Sequence, residues 1–475
     1  MMRKSRKTSS TISTENCPKK RVNRWFRLSP TCKHLLHCVA MLATIAFFMR
    51  EYTRSKEGII SEPYKNYGKC YKILVYLLRL APLLQLPHGL FNFLGLFLYN
   101  AFNDEVSLKY SLSGAPFLCF RIVTKGYFPD LVRGNVQKNL KICHAVGLEK
   151  FVIEVVTEKY IENLLEHPKI KQTVVPPDYQ TKNGTLFKAR VLQYSLEDDV
   201  IFLGNKDYIV HLDEETLLTE NSVRGIINFV IEGKHAFGQG LVTYASGEIV
   251  NWMNTLLDSI CVADDMGKVQ FQFRMFHKPL FGWKGSFMVA RFEAERSVTF
   301  DHGLDGSITE DNFFAMKAFE SGYTFDFIEG EMKEKSPFTL RDLLEQRERF
   351  IKGLLLAVHS PKISLKYKFL LGTFVYSLIM VPIAIIDFAP LTIFPELDYW
   401  LLHLNVLVAF VRGLTVYMFI FGLGKSWSLK ELNKWEFCLS VVGNICLLPI
   451  QYIVTTISLF RAVIISKHEF FIVQK

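Results

Sequence analysis

The chain has 475 residues, 49% of them hydrophobic, with a positive mean hydropathy and a formal net charge of +10 at pH 7. That hydrophobic share exceeds what a water-soluble domain of this length carries, which excludes a purely soluble protein and predicts membrane segments. The nine cysteines (Cys17, Cys32, Cys38, Cys70, Cys119, Cys143, Cys261, Cys438, Cys446) are scattered, with no C-x-x-C pair and no zinc-type Cys/His spacing, a pattern of free thiols in a reducing compartment rather than a disulfide frame or metal site.

Residues 1–32 form a basic tail in which Arg3, Lys4, Arg6, Lys7, Lys19, Lys20, Arg21, Arg24 and Arg27 face only Glu15. A disordered basic arm can bind nucleic acid, but no DNA-reading motif follows and an apolar run does. The charge therefore reads as topogenic, holding the terminus in the cytosol, and no nucleic-acid partner is expected. The run from Leu35 to Met49 is near the short limit of about 17 to 25 residues for a span and, after so long a polar lead, reads as an anchor rather than a cleaved signal. The next, Tyr71 to Phe102, is interrupted by Arg79, Pro82 and Pro87-His88. It reads as a kinked span, or as an interfacial piece feeding a span from about Leu90, within a membrane region over 33–102.

From residue 103 to 362 the texture becomes mixed charged and apolar. Phe117 to Val123, Phe151 to Val156 and Tyr208 to Leu212 are β-branched or aromatic runs followed by turn or helix signals, which predicts an α/β domain with a mostly parallel sheet. Ligands of such sheets sit at the carboxyl ends of the strands, so polar groups just after these runs are the place to look for chemistry. His211-Leu212-Asp213-Glu214-Glu215 puts Asp213 and Glu215 on the same side of an extended segment, as a hard divalent cation on a diphosphate requires, although an acidic loop after a strand is ordinarily just solvated. Ile308-Thr309-Glu310-Asp311 opens the helical stretch Phe313 to Ser321; it suits an N-cap, and it also suits Asp311 as a general base at the mouth of a site. Gln346-Arg347-Glu348-Arg349-Phe350 lies on a helix-like segment from about Leu340. Its arginines read as exposed helix charges, or as guanidinium groups for a pyrophosphate leaving group, with the aromatic covering a sugar face.

Residues 363–475 return to apolar stretches at Tyr367 to Phe388, Tyr399 to Leu423 and Phe437 to Phe460, each long enough to cross a bilayer. Ala389 to Leu397 has no Lys or Arg, whereas Gly424 to Glu436 carries Lys425, Lys430 and Lys434, so the first loop is expected in the lumen and the second in the cytosol. With two spans before it, the α/β domain also falls in the cytosol. Arg50, Arg54, Lys56, Lys65 and Lys69 run against that arrangement, since they would sit in a lumenal loop.

The series D-x-[DE], T-E-D, Q-R-x-R-aromatic between membrane segments resembles the family 2 glycosyltransferases, from about Phe117 to the last spans. Leu212 to Phe229, Phe276 to Gly282, Tyr323 to Leu340 and the ending Val473-Gln474-Lys475 are similar to the invertebrate egghead-type β-1,4-mannosyltransferases. The resemblance implies a GT-A-like nucleotide-sugar-binding domain, GDP-mannose as donor, glucosylceramide as acceptor and a Mn or Mg cofactor. It implies Asp213 and Glu215 on the metal, Asp311 as base, and Gln346, Arg347 and Arg349 on the donor phosphates, where Asp213 also acts. It further implies Glu158 at the nucleoside, Lys188 in the donor site, and Trp283, Glu310 and Phe350 toward the acceptor. Trp283 lies in Phe281-Gly282-Trp283-Lys284-Gly285-Ser286, which also reads as a glycine-rich turn around a buried Trp. Two departures stand out: Glu215 where Asp is usual, and Phe350 where Trp is usual, which keeps stacking but loses the indole N–H.

These implications amount to a single inverting displacement on a lipid held in the endoplasmic reticulum or Golgi bilayer. Rival readings are a processive polysaccharide synthase using a UDP-sugar, a non-catalytic membrane scaffold and, further off, a transporter. The few ionisable residues in the C-terminal spans, mainly Asp387, His403, Arg412 and Arg461, favour single addition over a channel. Asn183-Gly184-Thr185 is a glycosylation pattern inside the α/β domain and is expected to be an ordinary turn.

Overall fold

The computed structural model describes residues 28–53, short pieces between 68 and 77, 81–382 except 104, 165, 245–248 and 380, then 402–427 and 434–464. The basic tail up to residue 27, the loop Ala389 to Leu397 and the last eleven residues lie outside the described residues, so the expectations placed on them stand as they are.

Seven strands form one sheet: β1 (Leu118–Thr124), β2 (Phe151–Thr157), β3 (Ile170–Val174), β4 (Tyr208–Asp213), β5 (Phe237–Thr243), β6 (Met288–Arg291) and β7 (Phe325–Lys333), in the order β3-β2-β1-β4-β6-β5-β7. The three strands expected from the sequence are β1, β2 and β4, and they pair in parallel. Only β6 runs antiparallel, between β4 and β5. After β1 the chain moves outward through β2 and β3, then returns to place β4 on the other side of β1. This is the switch point at which open α/β sheets bind ligands, beyond the carboxyl ends of the strands.

Both faces of the sheet are covered around β1, β2 and β4, which is why those strands read as largely apolar runs. On one face Leu118, Phe120 and Ile122 pack with helix α3 (Pro129–Ala145) and helix α5 (Glu220–Glu232); Cys119 faces the other side. That second face also holds a fully buried charge cluster. In register across three strands, Arg121 meets Glu154 at 2.8 Å and stands beside His211, while Glu295 on helix α7 (Phe292–Val298) closes the set, 3.6 Å from Arg121 and 2.7 Å from His211. Because buried charges persist only when paired, this cluster fixes α7 against the sheet.

Three helices among the described residues are long and apolar enough to cross a membrane: Pro30–Glu51, Leu404–Ser426 and Trp435–Ile464. They belong to α1 (Pro30–Thr53), α11 (Leu402–Ser426) and α12 (Lys434–Ile464). The stretch from Tyr71 to Phe102 yields a shorter apolar helix, Pro82–Leu98, containing α2 (Leu86–Leu98). It joins α1 through histidines: ring nitrogens of His34 and His37 bond the C-terminal carbonyls of Phe97 and Leu96 at 3.1 and 3.0 Å, which an α-helix cannot satisfy internally. Gly95 lets α2 touch the backbone of Gly267, where any Cβ would fall 2.0 Å from the carbonyl oxygen.

Helices α4 (Phe187–Tyr194), α6 (Trp252–Asp264), α8 (Glu310–Glu320), α9 (Leu340–His359) and α10 (Leu365–Ile379) complete the fold. One continuous apolar cluster runs from Met41 and Ile45 in α1 through Phe237 in the sheet to Phe410, Val411 and Leu414 in α11. The eight described cysteines are free thiols. In the Asn183-Gly184-Thr185 turn, the Asn183 side-chain amide donates to the Asp301 carbonyl at 2.8 Å and the buried Thr185 hydroxyl to the Asp301 carboxylate at 2.8 Å, so neither is presented to a glycosylating enzyme.

Candidate active site

A cavity of about 340 Å³ opens at the carboxyl ends of β1, β2 and β4. Its wall brings together Glu158, Lys188, Asp213, Glu215, Glu310, Asp311, Gln346, Arg347, Arg349 and Phe350, residues spread over nearly two hundred positions of sequence.

Asp213 ends β4. The turn after it is closed by the Thr216 hydroxyl, which accepts from the Asp213 amide at 3.1 Å, and this brings Glu215 back beneath the strand end. Carboxylate oxygens of Asp213, Glu215 and Glu334 all lie within 4.8 Å of one another. Glu334, just past β7, is the acid that sequence reasoning missed. Hydroxyls of Thr216 and Ser286 donate to it at 2.7 and 2.5 Å, while burial and the neighbouring Asp213 push its pKa up to about 7. Three convergent carboxylates, one of them raised by burial and by its acidic neighbour even with Lys284 acting against the shift, are the donor set a hard divalent cation takes, so the residues present fit Mn²⁺ or Mg²⁺.

Lys188, in the first turn of α4, reaches across the cavity to Asp213 at 2.6 Å and Glu310 at 3.4 Å. These two carboxylates outweigh the burial and raise its pKa, so it stays an ammonium. Asp311 follows Glu310 in the first turn of α8 and accepts from the Asn312 amide at 2.7 Å. Its pKa is raised to about 7, first by burial and then by Glu310, with Lys188 pulling the other way. The N-cap reading needs correcting in one respect: Thr309 occupies the cap position but its side chain makes no capping bond. Instead it packs on Gly353 of α9, where a Cβ would fall 2.2 Å from Thr309 Cγ2. Gly285 gives a similar close approach, its missing Cβ lying 3.2 Å from Asp311 Oδ2 and 3.4 Å from Lys188 Nζ.

At the other end, Glu158 is held by Arg190 at 2.6 Å. Gln346, Arg347, Arg349 and Phe350 reach the cavity from α9, whose start is fixed by a capping box between Thr339 and Asp342. Arg347 bonds Asp258 of α6 at 2.6 Å and stands 3.6 Å from Cys261 Sγ. Asp258 carried no signal in the sequence, being one of several polar residues, with Asn254, Thr255, Ser259 and Asp264, scattered along α6.

Trp283 is not brought to the cavity. It is 3% exposed, stacked on Phe314 and edge-on to Phe237 and Phe325. The following Lys284, Gly285 and Ser286 line the cavity instead, and Lys284 pairs with buried Asp265 at 2.6 Å.

The description "Glycosyl transferase family group 2" matches residues 208–421. The chain is 50% identical over 454 residues to the β-1,4-mannosyltransferase egh of Drosophila melanogaster, covering 94% of this chain and 98% of that one. It is 48% identical to the β-1,4-mannosyltransferase bre-3 of Caenorhabditis elegans, covering 93% and 98%. A crystal structure of S. aureus TarS residues 1–349 aligns with 11% identity over 75% of this chain and 94% of that chain, at a TM-score of 0.33. Identity of this extent over nearly full length shows that the chain belongs to the β-1,4-mannosyltransferases of the egh and bre-3 type, hexosyltransferases of glycosyltransferase family 2.

Proposed function

We propose that this mannosyltransferase takes mannose from GDP-mannose and places it in β-1,4 linkage on glucosylceramide, once per acceptor, with the catalytic domain facing the cytosol. The observation that carries the reading is the meeting, in one cavity, of the cation-type carboxylates, an ammonium, two guanidinium groups and a carboxylate with its pKa raised to about 7. Nucleoside diphosphate departure needs the first three, and acceptor activation needs the last.

In this reading Asp213, Glu215 and Glu334 hold Mn²⁺ or Mg²⁺, which when bound neutralises charge on the diphosphate. Glu158 contacts the nucleoside. Lys188, Gln346, Arg347 and Arg349 hold the donor phosphates, and Glu310 and Phe350 border the acceptor. Asp311 takes the proton from the acceptor 4-hydroxyl as that oxygen bonds the anomeric carbon. The bond from this carbon to the phosphate oxygen breaks on the opposite side, its electron pair leaving with GDP, so an α-linked donor gives a β-linked product. A lipid acceptor accounts for the three candidate spans, since its head group has to be presented at the bilayer surface.

The test uses the full chain purified in detergent with Mn²⁺, offered GDP-mannose or UDP-sugars with glucosylceramide, beside an Asp311→Asn control, with lipid products weighed by mass spectrometry. Addition of one hexose from GDP-mannose only, lost in the control, is the expected result. A ladder of products from a UDP-sugar would point to a processive synthase instead, and absence of any transfer would leave a scaffold.

A further inference from the structure

The run Gln346-Arg347-Glu348-Arg349-Phe350 has one member that does not line the cavity, Glu348. Its carboxylate turns the other way, to Arg461 on α12, at 2.8 Å. Arg461 is among the few ionisable residues of the C-terminal spans, and such residues are costly there unless a partner or a function keeps them. One turn earlier on α12, the Ser458 hydroxyl donates to the Leu344 carbonyl of α9 at 3.1 Å. Beside these polar contacts Ile351 packs on Leu459 and Ala462. A basic residue in the last turn of a helix also complements its dipole, but that role needs neither a carboxylate across the interface nor the Ser458 bond.

We infer that Arg461 is a positioning residue: from a membrane helix it holds Glu348 and thereby fixes the rotation of α9 that turns Arg347 and Arg349 into the donor cavity. The geometry is that of a helix gripped on its back. Residues 347 and 349 flank the gripped position, so a roll of α9 about its axis swings both guanidinium groups along the cavity wall. Asp258 holds Arg347 from the front; Arg461 and Ser458 hold the helix from behind. The active geometry therefore depends on where α12 stands relative to the catalytic domain. This inference rests on the proposed donor role of the two arginines.

The test measures binding of GDP with Mn²⁺, and separately mannosyl transfer, on the full chain in lipid nanodiscs. Variants are Arg461→Gln, Glu348→Gln and the exchanged pair Arg461→Glu with Glu348→Arg. The single changes are expected to weaken GDP binding about threefold to tenfold and to raise the donor KM in step. Because the exchanged pair restores the contact, it should recover most of the loss. Single variants that melt earlier yet bind GDP with wild-type affinity in the folded fraction would reduce Arg461 to a structural contact and overturn the inference. An exchanged pair no better than the worse single variant would do the same. Failure of the wild-type chain to bind GDP would instead remove the donor reading, so the two outcomes are separable.

Discussion

Asp311 is held where its ionised form is disfavoured by burial and by Glu310, with Lys188 compensating in part. A base must be ionised to act, so transfer should rise with pH through about 7 rather than level off near 5 as for an ordinary carboxylate. The stability consequence has the opposite sign. A carboxyl whose folded pKa lies above its unfolded value contributes stability below the unfolded pKa and loses it as pH rises toward 7. Asp311→Asn removes that burden, and is expected to melt higher than wild type at pH 8 while losing transfer by about 10²- to 10⁴-fold. Thermal melts at pH 5 and pH 8 beside the rate profile decide it; equal melting of the two proteins at pH 8 would mean Asp311 is not strained. Asp213, Glu215, Asp311 and the arginines were legible because each sits in a short motif of fixed order. Glu334 and Asp258 were not: each enters the cavity by a tertiary contact, and nothing in their neighbours' spacing marks them off from surface or helix charges.

At the scale of elements, the mouth of the site depends on how closely α8 and α9 approach. Gly353, one turn beyond Arg349, sits against Thr309, the residue before Glu310, closely enough that a Cβ would fall 2.5 Å from its hydroxyl oxygen. Gly353→Ala should separate the two helices, lower stability by about 1 to 3 kcal/mol and reduce transfer, because Asp311 and Arg349 move apart. Since the Thr309 side chain makes no capping bond, Thr309→Ala costs little alone, and combined with Gly353→Ala it should recover part of the melting temperature and rate, because alanine at 309 keeps a Cβ that would lie 2.8 Å from the added one. A double variant as impaired as Gly353→Ala would mean that the glycine serves α9 for another reason. The strands β1, β2 and β4 were visible in sequence because both their faces are buried. Trp283 illustrates the converse, since a tryptophan in a glycine-rich turn has the same local sequence whether its ring faces a cavity or, as here, Phe314.

Over the whole molecule, a sequence reading divides the chain at about residue 362 into a catalytic domain and a membrane bundle, because composition changes there. Packing does not stop at that position. Leu257 of α6 and Leu343 of α9 bury themselves with Val454 of α12, Leu256 with Leu423 and Trp427, and Ile351 with Leu459 and Ala462. Gly422 of α11 comes so near the Ser259 carbonyl that a Cβ would fall 1.8 Å from it, and Asn444 of α12 donates to the Ser259 hydroxyl at 3.1 Å. Composition registers the change of solvent along the chain, but it does not record which faces of α6 and α9 are apolar because a later helix covers them. Four aliphatic side chains at about 1.5 to 3 kcal/mol each are on the scale of a domain's whole stability of about 5 to 15 kcal/mol. Residues 104–362 produced alone are therefore expected to aggregate and to bind no GDP, whereas the full chain in detergent stays monodisperse and binds it. Size-exclusion chromatography and nucleotide binding on both proteins test this. A soluble, GDP-binding fragment would show that the catalytic half folds without α11 and α12, and would also remove the basis for holding α9 in place from the membrane side.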